Sequence, residues 1–246
     1  MTSTELGRIA AIYRYPVKSM RGEALDEAVV GWHGVDGDRR LALRRPGVPG
    51  GFPWLSASKL PELVGFTPVV RDDRSGSGLP THVRTPEGDE LPVFGEALAA
   101  DIARRLGAPV EMMEMRQGVF DEATVSVISS ATVREIGRLA GRDLDIRRFR
   151  PNIVVQSTRA VPFEEDDWIG GVLGIAEPGD TPAIAVTMRD LRCTMVNFDP
   201  DGGPASPEIM QAIVRATDNH AGVYGTVTRT GRLAVGQTLV LHRGRA

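Results

Sequence analysis

Cys193 is the single cysteine of the chain, and its side chain is the one best suited to bind a soft metal or to attack an electrophile. It lies just beyond a predicted strand, close to Arg189 and Arg192, and a turn-forming segment follows it at residues 199–203. Nearby guanidinium groups favour the thiolate, which is the form that binds soft metals. This setting favours a reactive or metal-binding thiolate, while a free cysteine that packs as a small apolar side chain is the alternative.

Three short segments place cationic side chains at the edges of predicted strands: YPVKS at residues 15–19, GDRR at 37–40 and RRFRPNIVV at 147–155. Lysine supplies a point charge, arginine a planar fork and serine a hydroxyl, and such a set suits a phosphate or another anion. The alternative is that these are solvated charges with partial ion pairing, for example between Asp38 and Arg39.

Composition excludes several classes of function. One cysteine rules out an internal disulfide framework and an iron–sulfur cluster held by four thiolates of this chain. The formal net charge of -3 is spread evenly, which argues against a nucleic-acid partner. The sequence has no GxGxxG, P-loop, HExxH, GxSxG or CxxC motif, and its four histidines are isolated from one another. Dinucleotide enzymes, common hydrolases and zinc enzymes therefore lose support.

The elements that must position these residues are mostly short strands. In the first half they are predicted at residues 8–15, 25–30, 39–43, 66–70, 81–84 and 91–94, followed by a helix at 96–106. Residues 45–54 and 71–80 are rich in Gly, Pro and Ser and are predicted to be surface loops. No stretch is long and apolar enough for a membrane-spanning helix, and the N-terminus lacks the pattern of a signal peptide, so we expect a cytoplasmic protein without a membrane partner.

The second half begins with an apolar strand at residues 124–129 and a helix in which Thr132 and Glu135 have the spacing of a capping box. Further strands are predicted at 152–156, 171–176, 183–188, 222–228 and 238–242, with a helix at 207–217. Strands do not alternate regularly with helices, so the predicted fold class is α+β and β-rich. We place a domain boundary near residue 120, which divides the chain into domains at 1–120 and 121–246.

Taken together, these segments resemble the MOSC superfamily, and in particular its two-domain members that are similar to the mitochondrial amidoxime-reducing component. YPVKS and the following GxxxDxxxxxxxGxxGDR fit the N-terminal β-barrel domain of that family. FRPNIVV at 149–155, FEEDDW at 163–168 and the spacing from Arg192 and Cys193 to DPDGG fit the MOSC domain. The resemblance spans nearly the whole chain and implies an N-terminal MOSC-type β-barrel domain followed by a MOSC β-barrel domain with a few helices.

The resemblance also implies a cofactor, the molybdenum cofactor, in which one pterin dithiolene and one protein cysteine hold the metal. That cysteine is Cys193, which is then both the metal ligand and the catalytic residue, and no pyridoxal phosphate is required. The remaining cofactor-binding residues that the resemblance implies are Lys18, Ser19 and Arg39 at the phosphate, Arg150 and Asn152 at the pterin, Arg192 beside the cysteine, and Ser130. For Ser130, which begins a predicted helix, a plain helix cap is an equal alternative.

The function implied by this resemblance is an oxidoreductase that reduces N-hydroxylated or N-oxide small molecules. Its electrons would come from a separate redox partner, a ferredoxin-type or haem carrier with its reductase. Arg189 and Asp190 are the only candidates for a proton donor. The alternative is a carrier or storage protein for the cofactor or its sulfur, without turnover. A family member that has lost the metal is a further alternative, against which Cys193 argues.

Two features are specific to this chain. Relatives often have two threonines three and four positions after the cysteine, where this sequence has Val196 and Asn197, so the hydrogen bonds around the metal or the substrate are expected to differ. The FEEDDW segment is expected to be structural, with its acidic side chains facing water and Trp168 packing inward.

Overall fold

The computed structural model describes residues 2–48, 52–71 and 78–244, and over these residues the chain forms sixteen strands and three α-helices. The strands are β1 (Thr2–Arg14), β2 (Glu23–Leu25), β3 (Glu27–Gly31), β4 (Gly34–Val35), β5 (Leu41–Arg44), β6 (Thr67–Val69), β7 (His82–Arg84), β8 (Glu90–Pro92), β9 (Glu111–Glu114), β10 (Val125–Ser129), β11 (Ile153–Ser157), β12 (Val172–Ile175), β13 (Ala183–Leu191), β14 (His220–Arg229), β15 (Gly231–Ala234) and β16 (Thr238–Arg243). The helices are α1 (Glu96–Leu106), α2 (Ser130–Ala140) and α3 (Pro207–Thr217).

The largest sheet closes into a barrel of seven strands in the order β11-β10-β14-β13-β12-β16-β1, and the pairing of β1 with β11 completes the ring. β2 adds to β1 as an eighth strand of the same sheet. β1 is 13 residues long, which lets its first part pair with β16 and its last part with β11. Ile9 lies opposite Val155 and Ile12 opposite Ile153, and all four side chains are buried. The first strand of the chain is therefore a structural part of the barrel.

Buried side chains between Val17 and Val110, among them Leu41, Phe66 and Leu98, form a second hydrophobic core. Its small sheets are β5-β9 and β6-β7-β8, while the sheet β15-β3-β4 packs on the barrel core. Helix α1 contributes Leu98 and Ile102 to this second core, and it ends at Gly107, whose left-handed φ of 74° lets its N–H bond to Ala103. A third cluster joins α2 and α3 through Ile136, Ile209 and other buried side chains.

The predicted fold class, β-rich α+β, is confirmed, and the bounds of α1 and α3 are those predicted. The strong apolar periodicity and clear end signals of these helices explain the agreement. β4, β9 and β15 were missed. β9 has mostly exposed side chains and no apolar alternation, so its pairing with β5 has no local signal in the sequence. Of the predicted loops at 45–54 and 71–80, residues 49–51 and 72–77 lie outside the described residues.

The predicted position of the α2 cap was wrong. The helix begins at Ser130, and its cap is Ser129, whose Oγ accepts the N–H of Thr132 at 3.1 Å. β10 leads into the helix without a linker, so the last strand residue serves as the cap. Thr132, which the spacing suggested as a cap, is buried and accepts the N–H of Phe163 at 2.7 Å.

The FEEDDW segment forms a short 3₁₀ helix at Glu164–Trp168. Trp168 packs inward as predicted, but the expectation that all its acidic side chains face water was wrong, because Glu164 and Glu165 are buried. Glu165 accepts the N–H of Ser129 at 3.2 Å, and burial raises the pKa of its carboxyl. This acidic residue thus stabilises the junction between β10 and α2.

Two strand pairings cross the predicted boundary at residue 120. β1 belongs to the barrel formed mainly by the second half, and β15 pairs antiparallel with β3. The division into domains at 1–120 and 121–246 stays a prediction. No helix within the described ranges is long and apolar enough to cross a membrane.

Candidate functional site

A cavity of about 300 Å³ contains most of the side chains singled out from the sequence. Six of the eight predicted site residues line it: Lys18, Ser19, Arg39, Arg150, Arg192 and Cys193. They come from four segments of the chain, at residues 18–19, 39, 150 and 192–193. The other side chains that line the cavity are Phe52, Ser56, Ser58, Asp121, Glu122, Ser126, Arg148, Phe149, Asp190, Leu191, Met195, Val196 and Tyr224.

Backbone hydrogen bonds join the two cationic segments of the first half. The Leu41 N–H donates to the carbonyl of Pro16 at 3.0 Å, and the Lys18 N–H donates to the carbonyl of Leu41 at 2.8 Å. The Arg39 N–H donates to the carbonyl of Tyr15 at 2.7 Å. The segment after β1 therefore runs beside the segment before β5, and this pairing brings Lys18 and Arg39 to the same cavity wall.

Three of the cavity residues have left-handed backbone conformations that non-glycine residues rarely adopt. The φ angles are 68° at Ser19, 51° at Arg39 and 50° at Arg150. Such a conformation costs on the order of 1 kcal/mol or more at each residue, and it persists only where the surrounding contacts enforce it. The strained backbone conformations therefore occur at three positions whose side chains converge on the cavity.

A buried carboxylate fixes the position of Arg39. Asp38 is 1% exposed, and its Oδ1 accepts the Tyr15 N–H at 2.6 Å. Its Oδ2 accepts hydrogen bonds from Arg39 Nη1 and, at 3.0 Å, from Asn152 Nδ2. Burial lowers the pKa of Arg39, but Asp38, Tyr224 and Tyr15 together more than offset this, and the net pKa lies above its ordinary value. Arg39 is therefore a permanently charged and well-oriented donor.

Asn152 is not part of the cavity lining, although the sequence analysis places it at the pterin. Its side-chain amide lies behind the wall, where it donates to Asp38 and to the carbonyl of Tyr13, and its Oδ1 accepts the Ser126 N–H at 3.1 Å. In this structure Asn152 orients the carboxylate that orients Arg39. It joins the start of β11 to β10 and to the first half of the chain.

Arg150 carries a positive charge that no carboxylate of the described residues neutralises by a direct ion pair. Its guanidinium carbon lies 4.2 Å from the centre of the Tyr15 ring, and its Nη1 donates to the carbonyl of Met20 at 2.7 Å. Burial and then the neighbouring Arg39 charge lower its pKa to about 10. Arg150 Nη2 is buried without a hydrogen-bond partner among the described residues. This donor can bind an anion or a polar ligand edge.

Lys18 is buried and forms an ion pair. Its Nζ lies 2.8 Å from Oδ1 of Asp121 and 5.4 Å from the centre of the Phe52 ring. Burial lowers the pKa of Lys18, and the carboxylate of Asp121 opposes this effect. Neither Asp121 nor Phe52 was singled out from the sequence, because a contact across 103 residues leaves no local pattern.

Arg192 fixes the start of the cysteine segment by hydrogen bonds to three backbone groups. Its Nε donates to the carbonyl of Ala221 and its Nη1 to that of Phe149, both at 2.7 Å, while its own N–H donates to the carbonyl of Asn219. With most of its donors used within the protein, Arg192 mainly positions the backbone that presents the exposed Cys193 at the cavity.

Arg148 holds the other side of the cysteine segment. Its Nη1 donates to the carbonyl of Asn197 at 3.0 Å, and its Nη2 pairs with Asp199 Oδ2 at 2.6 Å. Asp199 begins the DPDGG turn that follows the cysteine in the sequence. Cys193 therefore immediately precedes a short 3₁₀ turn, at Thr194–Asn197, and Arg192 and Arg148 hold the segment on its two sides.

Of the two proton-donor candidates, only Asp190 lines the cavity. It is 1% exposed, and its Oδ2 accepts the Ser126 hydroxyl at 2.8 Å and pairs with Arg192 at 2.7 Å. Burial raises its pKa against the opposing effect of Arg192. Arg189 instead donates to the carbonyl of Thr217 at 2.7 Å and is absent from the cavity lining.

Tyr224 on β14 also lines the cavity and was missed in the sequence, since it lies in the middle of a strand with ordinary alternation. Burial raises the pKa of its hydroxyl, and the nearby Asp190 adds to this effect. The pair places a protonated phenol and a buried carboxyl at the same wall. Ser130 lies outside the lining, and its Oγ accepts Arg134 Nη1 at 3.2 Å at an exposed position.

Comparison with protein families matches both halves of the chain. The MOSC domain matches residues 114–240, and the MOSC N-terminal beta barrel domain matches residues 6–124. No curated protein matches this sequence at the significance required.

The solved structures that align with this chain include two bacterial proteins. The YUAD protein from Bacillus subtilis aligns with a TM-score of 0.54 and 13% identity over 99% of this chain and 99% of that chain. YiiM from Geobacillus stearothermophilus aligns with a TM-score of 0.37 and 19% identity over 48% of this chain and 53% of that chain. The likeness to the YUAD protein concerns the fold alone.

Proposed function

Because the chain belongs to the MOSC family, with an N-terminal MOSC beta barrel domain and a MOSC domain, we propose that it binds the molybdenum cofactor and uses it to reduce N-hydroxylated or N-oxide small molecules. Its electrons come from a separate protein, a ferredoxin-type or haem carrier with its reductase. The physiological substrate in this proposal is a small molecule that enters the cavity beside Cys193.

One observation carries the proposal. Cations from residues 18, 39 and 150 and the only thiol of the chain line a single cavity, although residues 18 and 39 are more than a hundred residues away from residues 150 and 193 in the sequence. A thiolate binds a soft metal, and a lysine with two arginines binds a phosphate. The molybdenum cofactor is a ligand that carries both a soft metal and a phosphate.

Two further features of the site fit the molybdenum cofactor: a buried donor without a partner, and the small number of side chains that could bind a metal. Arg150 Nη2 at the cavity is buried without a hydrogen-bond partner among the described residues, as expected of a site whose polar ligand is part of the structure. No group of three or more His, Cys, Asp or Glu side chains suited to a metal occurs in residues 2–48, 52–71 and 78–244. A metal at Cys193 therefore needs most of its ligands from a cofactor.

In the proposed holoprotein, Lys18, Ser19 and Arg39 bind the phosphate, Arg150 contacts the pterin, and Cys193 is the protein ligand of the metal. When bound, the cofactor would supply two-electron oxygen-atom-transfer chemistry to the substrate. Because Cys193 is exposed, the position beside it stays open to a small molecule. Tyr224 and Asp190 hold protons or accept hydrogen bonds at this wall, next to the place where the substrate enters.

The test is expression in a host that makes the molybdenum cofactor, followed by metal analysis and pterin fluorescence of the purified protein. We expect close to one molybdenum and one pterin per chain, and reduction of a model N-hydroxylated amidine with a chemical reductant or a reconstituted redox chain. NADH alone is expected to give no turnover, since the sequence has no dinucleotide fingerprint.

The carrier alternative gives a different result in the same experiment. A carrier or storage protein contains molybdenum but shows no turnover with a strong reductant, and it releases the cofactor to an acceptor protein on mixing. Protein that contains neither molybdenum nor pterin contradicts both versions of the proposal.

A further inference from the structure

The cation that is most deeply enclosed in the proposed phosphate site already has an anion beside it. Asp121 Oδ1 lies 2.8 Å from Lys18 Nζ, and both residues line the cavity. The other two cations of the site act on the same carboxylate, because Arg39 and Arg150 join Lys18 in lowering the pKa of Asp121. A carboxylate from a loop between β9 and β10 thus lies where these three positive charges converge.

The two partners of this ion pair differ in their freedom to move. The side chain of Lys18 is 7% exposed, and its backbone is bound to the segment before β5, whereas the side chain of Asp121 is 63% exposed. Asp121 can turn outward to water at little cost, while Lys18 cannot leave the cavity without a rearrangement of its segment. The anion is therefore the mobile member of the pair.

The charges of the site favour replacement of this carboxylate by a ligand with two negative charges. Asp38 is buried and pairs with Arg39, so it stays in place and neutralises one of the three cations. When Asp121 turns away, two positive charges remain unpaired. A phosphate monoester carries close to two negative charges at neutral pH, which matches them.

We propose that Asp121 is an internal counter-ion that occupies the anion-binding position at Lys18 until a phosphate monoester displaces it. This inference rests on the proposed function, in which the phosphate of the cofactor binds at Lys18. Asp121 then lowers the affinity for the cofactor and keeps the empty site from holding unrelated anions. It also gives the site an exchange step, in which the loop carboxylate re-enters as the phosphate leaves.

The test measures binding of inorganic phosphate to cofactor-free protein by isothermal titration at low ionic strength. We compare the wild type with Asp121→Asn, which keeps the shape of the side chain but removes its charge. Glu62→Gln is the matched control, because Glu62 is 53% exposed, lies 2.7 Å from Arg105 and is remote from the cavity lining. Asp121→Ser is a second replacement in case the amide disturbs the loop.

We expect Asp121→Asn and Asp121→Ser to bind phosphate about tenfold more tightly than the wild type, since the ligand no longer competes with a charge-assisted contact. Glu62→Gln should bind phosphate as the wild type does. A holoprotein with Asp121→Asn should also release its pterin more slowly. Unchanged or weaker phosphate binding in both Asp121 variants contradicts the inference and makes Asp121 an orienting partner of Lys18.

A further variant, Lys18→Gln, separates this inference from the proposed function. If phosphate binds the wild type, if Lys18→Gln abolishes this binding and if Asp121→Asn leaves it unchanged, the result contradicts only the role of Asp121. Two other outcomes contradict the phosphate site itself and with it the role of Asp121 as a counter-ion. One is phosphate binding that is the same in Lys18→Gln as in the wild type, and the other is no phosphate binding in the wild type or in either Asp121 variant.

Discussion

Asn152 Nδ2 donates a hydrogen bond to the buried carboxylate of Asp38 at 3.0 Å, and this contact joins the two halves of the chain behind the cavity. Asp38 in turn accepts hydrogen bonds from Arg39 and from the backbone of Tyr15. A residue at the start of β11 therefore fixes the direction of an arginine that precedes β5. The site depends on this contact even though Asn152 does not line it.

The first prediction concerns Asn152→Ala. We expect the free energy of unfolding of the cofactor-free protein to fall by about 1–3 kcal/mol, because the change removes one of the three hydrogen bonds that the buried Asp38 carboxylate accepts and leaves the Ser126 N–H without its side-chain partner. Urea unfolding measures this. Ser130→Ala, at an exposed hydroxyl, should change stability by less than about 0.5 kcal/mol. If Asn152→Ala lowers only pterin content and leaves stability unchanged, Asn152 acts by direct contact with the cofactor.

The second prediction concerns the metal ligand. Cys193→Ser replaces the only soft anionic side chain with a neutral hydroxyl, so we expect molybdenum content and metal-dependent turnover to be lost. Pterin content should fall less, since Lys18 and the arginines still bind the phosphate. Cys193 is exposed, so the melting temperature of the cofactor-free protein should stay within a few degrees of the wild type. A Ser variant with full molybdenum-dependent turnover rules out Cys193 as the ligand.

The third prediction tests the phosphate site by charge reversal. Lys18→Glu and Arg39→Glu should each weaken retention of the cofactor strongly, because a charge-assisted contact to phosphate is worth about 1.5–3 kcal/mol and reversal adds repulsion. Lys59→Glu is the control, since Lys59 is the other lysine of the chain, is exposed and is absent from the cavity lining. Pterin fluorescence after gel filtration reports retention. Equal pterin content in all three variants would show that Lys18 and Arg39 do not bind the phosphate and are solvated surface charges.

The fourth prediction is a pH dependence of anion binding. Burial and the Arg39 charge lower the pKa of Arg150 to about 10, so its positive charge is complete at neutral pH and is lost as the pH rises through that value. The affinity of the cofactor-free protein for inorganic phosphate should therefore be steady above about pH 8, where the phosphate is a dianion, and should fall as the pH approaches 10. Arg150→Gln should bind more weakly at pH 8. Affinity in the wild type that is flat beyond pH 10 contradicts this assignment.

Local signals explain which parts of this molecule could be predicted from its sequence. Helices α1 and α3 have apolar periodicity and clear end residues, and their bounds agree with the prediction. Lys18, Arg39 and Cys193 stand out by residue type and by the segments around them. Such signals depend only on residues that are close in the sequence, within the same helix or strand or the segment next to it.

The parts that were missed depend on pairing between distant residues. The pairing of β9 with β5, the contact of Asp121 with Lys18 and the burial of Glu165 under α2 are set by tertiary packing, and the sequence around each residue is ordinary. The same is true of Tyr224, which looks like any other residue of a strand. Spacing in the sequence indicates which cations can bind an anion, but it does not show which carboxylates of the protein form ion pairs with them.

The place of β1 in the barrel has a consequence for how the protein is made. Apart from its short pairing with β2, β1 forms its strand hydrogen bonds with residues 153–157 and 238–243, so on the ribosome it emerges long before either of these two partner strands exists. Pairings over such separations form slowly, and an unpaired strand edge is prone to aggregate until they do. The barrel cannot close during synthesis of the first half, and Asn152 can reach the Asp38 carboxylate that orients Arg39 only after the chain has been synthesised well past β11. Folding of the barrel and assembly of the site are therefore late and coupled events.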